Sequence, residues 1–368
     1  MRIAFLFNEY QPHVIARASY FLNQGYEVYY FALWSPVPVD KKRLPPGLKY
    51  ISIPCKFPMR IKYIRFFRGI VTVSKLTKKY SIDVLHMVSA GNGLHAIFSY
   101  SKINVIQNLG SDMLVWPKKK PILKIMYRFF YKKCDAVIQD SYLSQKAGIK
   151  YGAPKKNNLI IETGIDLLQF NPDAEKGRIR KRIKISDKTN IILSPRNLSP
   201  NYNIDIILKA IPKVRDKIND VAFVFIYFSN PLEDLYKKLA RDLKIQKNVF
   251  FVSSTKNEKI SSFYIDSDIV VSIPSSDSSP SSVYEAIACN KPVIISEIPW
   301  YHNKFIKDKH LITVPVRNHN LLAIEIINLL QDKTKLNIKE ANQRVRSSMD
   351  LRKENKKLEN LYKDLLYS

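Results

Sequence analysis

Apolar residues in this chain fall into short continuous runs separated by longer stretches with helical spacing. Arg2–Phe7 (RIAFLF) is one such run. His13–Gln24 then repeats apolar positions at helical intervals and stops at Gly25, and Glu27–Leu33 (EVYYFAL) is β-rich again. Val84–Val88, Asn104–Gln107 and Ala136–Gln139 continue the series, with helical segments between them. Strand and helix alternating in short units predict an α/β fold, a parallel sheet with helices on both faces. The second half repeats the scheme. Asn190–Leu193, Ala222–Ile226, Val249–Val252, Ile269–Ile273 and Pro292–Ile295 read as strands; Ile204–Ile218, Leu232–Leu243, Ser282–Cys289 and Leu321–Gln331 read as helices. Asn171–Thr189 is polar and lacks a strand pattern, so an interdomain linker is expected there. The reading is two Rossmann-like doubly wound domains, 1–172 and 173–345, facing a cleft. The charged helical stretch Lys339–Leu366 supplies a C-terminal helix, 346–368, packing back on the first domain.

A length of 368 residues agrees with two cores rather than one. The formal net charge is +28, with a sequence pI near 9.8. Such a balance points to anionic partners, or to nothing more than a Lys-rich proteome. The three cysteines, Cys55, Cys134 and Cys289, are far apart and form no CxxC, which argues for a reducing compartment and against a disulfide framework or zinc site. The N-terminus does not read as a signal peptide, and no run of about 18 uncharged apolar residues occurs. A cytoplasmic protein, or one peripheral on the membrane's cytoplasmic face, is expected.

One segment concentrates candidate chemistry. SSDSSPSSVYEAIACNKPVIIS, from Ser275 to Ser296, follows the strand Ile269–Ile273, and its polar half therefore sits at a strand's carboxyl end, where open parallel sheets bind ligands. A helix is expected after Pro280. Ser282 and Glu285 have the S-x-x-E spacing of a capping box, which would account for Glu285 without a ligand. The same geometry would aim the backbone N–H groups of Ser281, Ser282 and Val283 at an anion. Asp277 has no such structural partner visible in sequence.

From Asp277 to Ile294 the pattern D-x7-E-A-x-A-C-x-x-P-V-I resembles the E-x7-E signature of GT-B glycosyltransferases of the large retaining family 4 (glycosyl transferases group 1). Other stretches match in order: Asp83-Val84-Leu85-His86, Gly110-Ser111-Asp112, Cys134–Ile138 with Asp140-Ser141, Thr163–Asp166 with Phe170-Asn171-Pro172, Asn190–Arg196, and Asn248–Phe251. The resemblance implies a nucleotide-sugar donor held mainly by the second domain, and a glycan or lipid-linked acceptor. Asp277 would stand in for the first signature Glu on the donor sugar. Glu285 would bind the ribose, and Arg196 the diphosphate, with a permanently charged forked guanidinium suited to that task. Ser253, at the end of an expected strand, would join Ser281, Ser282 and Val283 in donor binding. Asp112 would orient an acceptor hydroxyl, with His13, Gly110 and Ser111 on the acceptor side. No metal or other cofactor is implied. Asp266-Ser267-Asp268, which has metal-binding D-x-D form, precedes a buried strand and is expected to be structural.

Departures from the family pattern bear on activity. Asn8–Val14 lacks the family's glycines, so backbone approaches a ligand less closely there. The phosphate-binding Lys expected after Arg196 is replaced in the turn Asn201-Tyr202-Asn203. Leu109 takes the place of the usual His, and Asn290 that of a Gly. Two alternatives to transfer follow: a catalytically silent GT-B subunit that binds a glycan or partner transferase, and a sugar-nucleotide epimerase. The six histidines are scattered without ligand spacing.

Two first-domain segments, 58–80 and 121–133, pair basic and aromatic residues at helical spacing. In the second, Lys124, Arg128 and Lys132 recur beside Met126, Tyr127 and Phe130. A solvated helix face and an anionic membrane surface are both open readings. The resemblance favours the membrane, since many family members act on lipid-linked acceptors. No nucleic-acid module appears, so nucleic acid is not expected as a partner.

Overall fold

The short apolar runs become the strands of two separate parallel sheets. The computed structural model describes residues 1–7, 11–33, 44–53, 62–228, 232–253, 260–302 and 304–367. These divide into two units, one of residues 1–163 with 351–368 and the other of residues 164–350.

The first unit holds β1 (Arg2–Phe7), β2 (Glu27–Leu33), β3 (Lys49–Ile53), β4 (Val84–Val88), β5 (Ile103–Gln107), β6 (Ala136–Gln139) and β7 (Asn158–Ile160). Their spatial order is β3-β2-β1-β4-β5-β6-β7, and every pairing is parallel. The second unit holds β8 (Asn190–Ser194), β9 (Val221–Tyr227), β10 (Val249–Ser253), β11 (Ile269–Ser272), β12 (Val293–Ser296) and β13 (Ile312–Val314), ordered β10-β9-β8-β11-β12-β13, again all parallel. In each sheet the chain builds outward on one side, then returns to build on the other. The reversal falls between β1 and β4 in one unit and between β8 and β11 in the other. Loops leaving these strands diverge there and open a ligand crevice.

Central strands are buried on both faces, as their unbroken aliphatic and aromatic composition requires: every residue of β9 and β11 is buried. The helix Ile204–Arg215 covers the second sheet with Ile204, Ile207, Leu208 and Ile211, which share one helical face. In the first unit Phe5, Phe21, Tyr30 and Tyr362 lie in the core on one side of the sheet; Leu6, Phe31, Met87 and Phe130 lie in the core on the other.

Three expectations need correction. The boundary expected at 172/173 falls at 163/164. The Asn171–Thr189 stretch is not a linker, because it is tied into the second unit. Asp266 accepts hydrogen bonds from the Gly177 and Ile179 N–H groups, and Phe170 packs edge-on to Tyr264 at 5.8 Å. The single C-terminal helix is two. Ile338–Ser348 belongs to the second unit, and Leu351–Tyr367 to the first, where Tyr362 stacks on Phe21 at 5.5 Å. The break falls at Met349–Asp350, where Met349 and Asp350 pair with Ile165. The edge strands β3, β7 and β13 escape the sequence pattern: most of β3 is not buried, and β7 and β13 have three residues each.

Candidate functional site

The crevice of the second unit gathers Arg196, Asp277, Ser281, Ser282 and Glu285 from the predicted site. β8 ends at Ser194 and delivers Arg196 to the rim; β11 ends at Ser272 and delivers the loop 273–280; the helix Ser281–Ala288 follows. Arg196 Nη2 donates to Asp277 Oδ2 at 2.6 Å, and its Nη1 donates to Ser282 Oγ at 2.9 Å. Its guanidinium carbon lies 4.1 Å from the centre of the Tyr202 ring, a cation–π contact. Asp277, the first cause that offsets the burial cost, holds the Arg196 pKa above its ordinary value. The Arg196 Nε is buried without a hydrogen-bond partner among the described residues.

Two readings of this segment change. No capping box forms: the helix is capped at Pro280, Ser282 Oγ serves Arg196, and Glu285 reaches sideways to the Tyr264 hydroxyl, which donates to its Oε2 at 2.5 Å. The capping account of Glu285 therefore fails, and its carboxylate is held at the site for another reason. Burial raises the Glu285 pKa to about 6, against the lowering effects of Tyr264 and of nearby Arg196. Asp277, expected to lack a structural partner, has two: Arg196 and the Ser278 N–H, which donates to Oδ1 at 2.9 Å. Val283 N–H is spent on the Pro280 carbonyl at 3.0 Å, so the anion-facing donors of the helix start reduce to Ser281 and Ser282.

The turn that lacks the expected Lys is built into the site. Asn203 adopts a left-handed conformation at φ 51°, which Asn tolerates well. Its Nδ2 donates to the Ile273 carbonyl at 2.8 Å, and the Ser275 N–H donates to the Asn201 carbonyl at 2.7 Å. These bonds lock the β8 exit to the β11 exit and hold Tyr202 beneath Arg196. Asn290 also sits at positive φ, 57°, in place of the family's Gly. Ser253 ends β10, and its carbonyl accepts from Arg182 Nη2 at 2.9 Å. Asp266 and Asp268 clamp backbone: Asp268 Oδ2 accepts from the Ile191 N–H at 2.7 Å.

In the first unit Gly110, Ser111 and Asp112 open a short helix, Gly110–Leu114, rather than an open loop. Asp112 is buried, and its Oδ2 accepts from the Ala90 N–H at 2.8 Å. Burial pushes its pKa up to about 7. The carboxylate thus braces the turn after β4, where Ser89 holds φ 76°. His13 lies in the first turn of the helix Pro12–Asn23; burial and then Arg17 lower its pKa to about 4, which keeps it neutral. Residues 8–10 of the glycine-free turn lie outside the described residues, as do 58–61 of the first basic segment. Sequence reasoning missed Tyr202 and Tyr264; aromatic side chains at strand-rim turns carry no motif signal of their own.

Two doubly wound parallel sheets in tandem, with a cationic and acidic cluster at the second sheet's switch point, define a GT-B fold. The family described as Glycosyl transferases group 1 matches residues 175–346, and Glycosyl transferase 4-like matches residues 2–141. The chain is a GT-B glycosyltransferase of the family 4 type. It is 25% identical over 347 residues to the alpha-monoglucosyldiacylglycerol synthase of Streptococcus pneumoniae, covering 87% of this chain and 76% of that one. A GDP-mannose-dependent phosphatidylinositol monomannoside mannosyltransferase of Mycobacterium tuberculosis is 25% identical over 130 residues, 35% of this chain and 33% of that protein. Anabaena Alr3699/HepE, solved with UDP-glucose, superposes with a TM-score of 0.79 at 15% identity, covering 99% of this chain and 100% of that one. Sucrose-phosphate synthase from Thermosynechococcus elongatus gives 0.81 at 17%, with 99% of each chain covered.

Proposed function

We propose that this glycosyltransferase is a retaining hexosyltransferase that moves a sugar from a nucleoside-diphosphate donor to a lipid-linked or glycan acceptor in glycoconjugate or surface polysaccharide assembly. The observation that carries the proposal is the Arg196 fork, bonded to Asp277 and to Ser282 at the start of a helix. Negative charge that grows on a leaving diphosphate is stabilised by a fixed cation and by backbone N–H groups placed in advance. Arg196 and the Ser281 and Ser282 N–H groups fill that role. The Glu285 carboxylate accepts from the ribose hydroxyls, and Asp277 from the donor sugar. As the glycosidic bond to phosphate breaks, the new bond forms on the same face, and the acceptor hydroxyl gives its proton to the departing phosphate. These groups supply the positive charge without a divalent metal, so chelation by EDTA is expected to leave turnover unchanged. A relative named for making monoglucosyldiacylglycerol supports a lipid acceptor, and a fold neighbour solved with UDP-glucose supports a UDP-linked hexose.

Among the described residues no helix is long and apolar enough to cross a membrane. We place the enzyme at the cytoplasmic side, a reading supported by the free thiols of Cys134 and Cys289.

The test is incubation with UDP-, GDP- and ADP-sugars and with diacylglycerol or oligosaccharide acceptors, following nucleotide release and the anomeric configuration of the product by NMR. Arg196→Ala is expected to cost at least about 100-fold in turnover. An isomerised sugar nucleotide without nucleotide release identifies an epimerase; neither product identifies a silent subunit.

A further inference from the structure

We propose that Arg317 is a positioning residue for the donor site, acting through Asn203 to hold Tyr202 against Arg196; the proposal rests on the reading of Arg196 as the diphosphate ligand. β13 ends at Val314, and the turn that follows is closed by the Asn318 N–H, which donates to the Pro315 carbonyl at 3.1 Å. Arg317 is the third residue of that turn and sits at φ 64°. Glycine, and after it asparagine, takes that place without crowding the Cβ against a carbonyl. A long side chain held there against its own backbone preference points to a use for the side chain. Arg317 Nη1 donates to Asn203 Oδ1 at 3.2 Å, and Nη2 donates to Asp205 Oδ2 at 3.0 Å. The apolar stripes of two helices bring these residues together. Ile207, Leu208 and Ile211 of the helix Ile204–Arg215 share one core with Leu322, Ala323 and Ile326 of the helix His319–Leu330, so the helices lie side by side on the sheet and the turns that start them adjoin.

The two bonds differ in what they do. The Arg317 side chain is 55% exposed, and Asp205 has a second cation in Lys209 at 3.7 Å, so the ion pair adds little and is replaceable. Asn203 is fully buried and joins three strand exits. Its backbone, at φ 51°, closes the turn after β8. Its Nδ2 donates to the Ile273 carbonyl at 2.8 Å and to Ser275 Oγ at 3.0 Å, beyond β11. Its Oδ1 faces Arg317, beyond the edge strand β13. Arg317 carries donors alone and the Ile273 carbonyl is an acceptor alone, so together they fix which end of the Asn203 amide is oxygen. Among the described residues the other donor recorded to Oδ1 is the Ser275 hydroxyl, at 3.2 Å. Tyr202 precedes Asn203 and lays its ring on Arg196. Asn201 accepts from the Ser275 N–H and donates through Nδ2 to the Ser276 carbonyl at 3.0 Å, next to Asp277. A displaced Asn203 therefore moves both groups that face the Arg196 guanidinium, the Tyr202 ring and the Asp277 carboxylate. The turn without the expected Lys is thus held by a cation from the edge of the sheet.

The experiment compares Arg317→Gly, Arg317→Lys and Asp205→Asn in the full chain. Glycine removes the side chain and relieves the backbone at positive φ, so that variant is expected to fold. Amide hydrogen exchange at Ser275 and Ser278, measured without ligand, is expected to quicken about fivefold in Arg317→Gly, the factor that one hydrogen bond of ordinary net strength carries. Affinity for UDP, GDP or ADP, measured by calorimetry, is expected to fall by a similar factor. Arg317→Lys is expected to recover part of both losses, because one ammonium lacks the fixed fork that spans two acceptors. Asp205→Asn keeps the Arg317–Asn203 bond and is expected to leave both unchanged. Unchanged exchange in Arg317→Gly overturns the proposal. So does faster exchange with the parent chain's nucleotide affinity, which would make Arg317 a strut of the fold and nothing more. So does an Asp205→Asn chain that matches Arg317→Gly, which would place the effect on the ion pair. A parent chain that binds none of the three nucleotides would overturn the reading of Arg196 instead, and faster exchange in Arg317→Gly would still show that Arg317 holds the turn.

Discussion

Arg196 and Asp277 form an ion pair of 2.6 Å in which both side chains are almost wholly withdrawn from solvent. Removing one partner of such a pair leaves the other charge uncompensated, at a cost of about 3 kcal/mol. Asp277→Asn is therefore expected to destabilise the ligand-free second unit by about 2–3 kcal/mol. A bound nucleoside diphosphate then supplies the missing negative charge. The thermal shift produced by UDP or GDP is expected to be larger in Asp277→Asn than in the parent chain, while turnover falls. A smaller shift in the variant would place the nucleotide away from Arg196.

Glu285 is the costly group of the site. Its carboxyl titrates at about 6 in the folded chain, against an ordinary 4.5. Between those values the folded state holds the proton more tightly than the unfolded state. Stability contributed by the neutral form is therefore lost as pH rises through about 4.5–6, and amounts to about 2 kcal/mol above that window. Glu285→Gln keeps an acceptor for the Tyr264 hydroxyl without the buried charge. It is expected to raise stability at pH 7.5 by about 1–2 kcal/mol and to reduce turnover steeply, a trade that active-site groups commonly show. Calorimetry and donor turnover on the same sample check both halves; a variant both less stable and fully active would count against any ligand role.

The two sheets and ten of their strands were legible because buried parallel strands are unbroken aliphatic runs, as in Val221–Tyr227. The edge strand Lys49–Ile53 was not, since an exposed lysine opens a run of only five residues. Arg196, Asp277 and Glu285 were legible as a set because the family resemblance assigns all three to the donor side. Their partners were not. Ser282 and Glu285 have capping-box spacing, yet the bond that forms runs from Tyr264, 21 positions earlier, through tertiary packing that no local pattern encodes. The setting of Asp112 was not legible for a related reason: a carboxylate after an apolar strand looks fully ligand-facing in sequence, but here one of its oxygens turns inward to hold the Ala90 N–H.

On the proposed donor site, the Tyr264–Glu285 bond is expected to set the acid limit of donor binding. Donor affinity carried by an ionised Glu285 is expected to fall as pH drops below about 6. The Tyr264 hydroxyl favours the ionised form, so Tyr264→Phe is expected to move that limit to higher pH. Nucleotide affinity measured by calorimetry from pH 5 to pH 8, roughly the range in which such shifted carboxyls titrate, separates the cases. An acid limit that does not move on removal of the hydroxyl would sever Glu285 from donor binding.

Arg17 anchors the C-terminal helix to the first sheet. Its buried guanidinium donates to Asn355 Oδ1 at 2.8 Å, to Gln107 Oε1 at 2.7 Å and to the Glu162 carbonyl at 2.8 Å. Gln107 Oε1 also faces His86 Nε2 at 3.0 Å, and His86 Nδ1 faces the Tyr362 hydroxyl at 2.6 Å. Burial lowers the His86 pKa to about 3, so the ring is neutral. Nε2–H then donates to Gln107, and Nδ1 accepts from Tyr362. Arg17→Leu removes the donor to the buried Asn355 and Glu162 oxygens, and removes a charge that Gln107 is oriented to receive. Each such group costs about 1–3 kcal/mol, so a loss of about 3 kcal/mol or more is expected in urea unfolding of the first unit. Arg17→Lys is expected to recover only part of it, because a single ammonium does not span three acceptors in a fixed fork. The nucleotide-induced thermal shift, which reads the second unit, is expected to remain in both variants. A loss of under about 1 kcal/mol for Arg17→Leu would show that the helix is held by the packing of Leu358, Leu361 and Tyr362 alone.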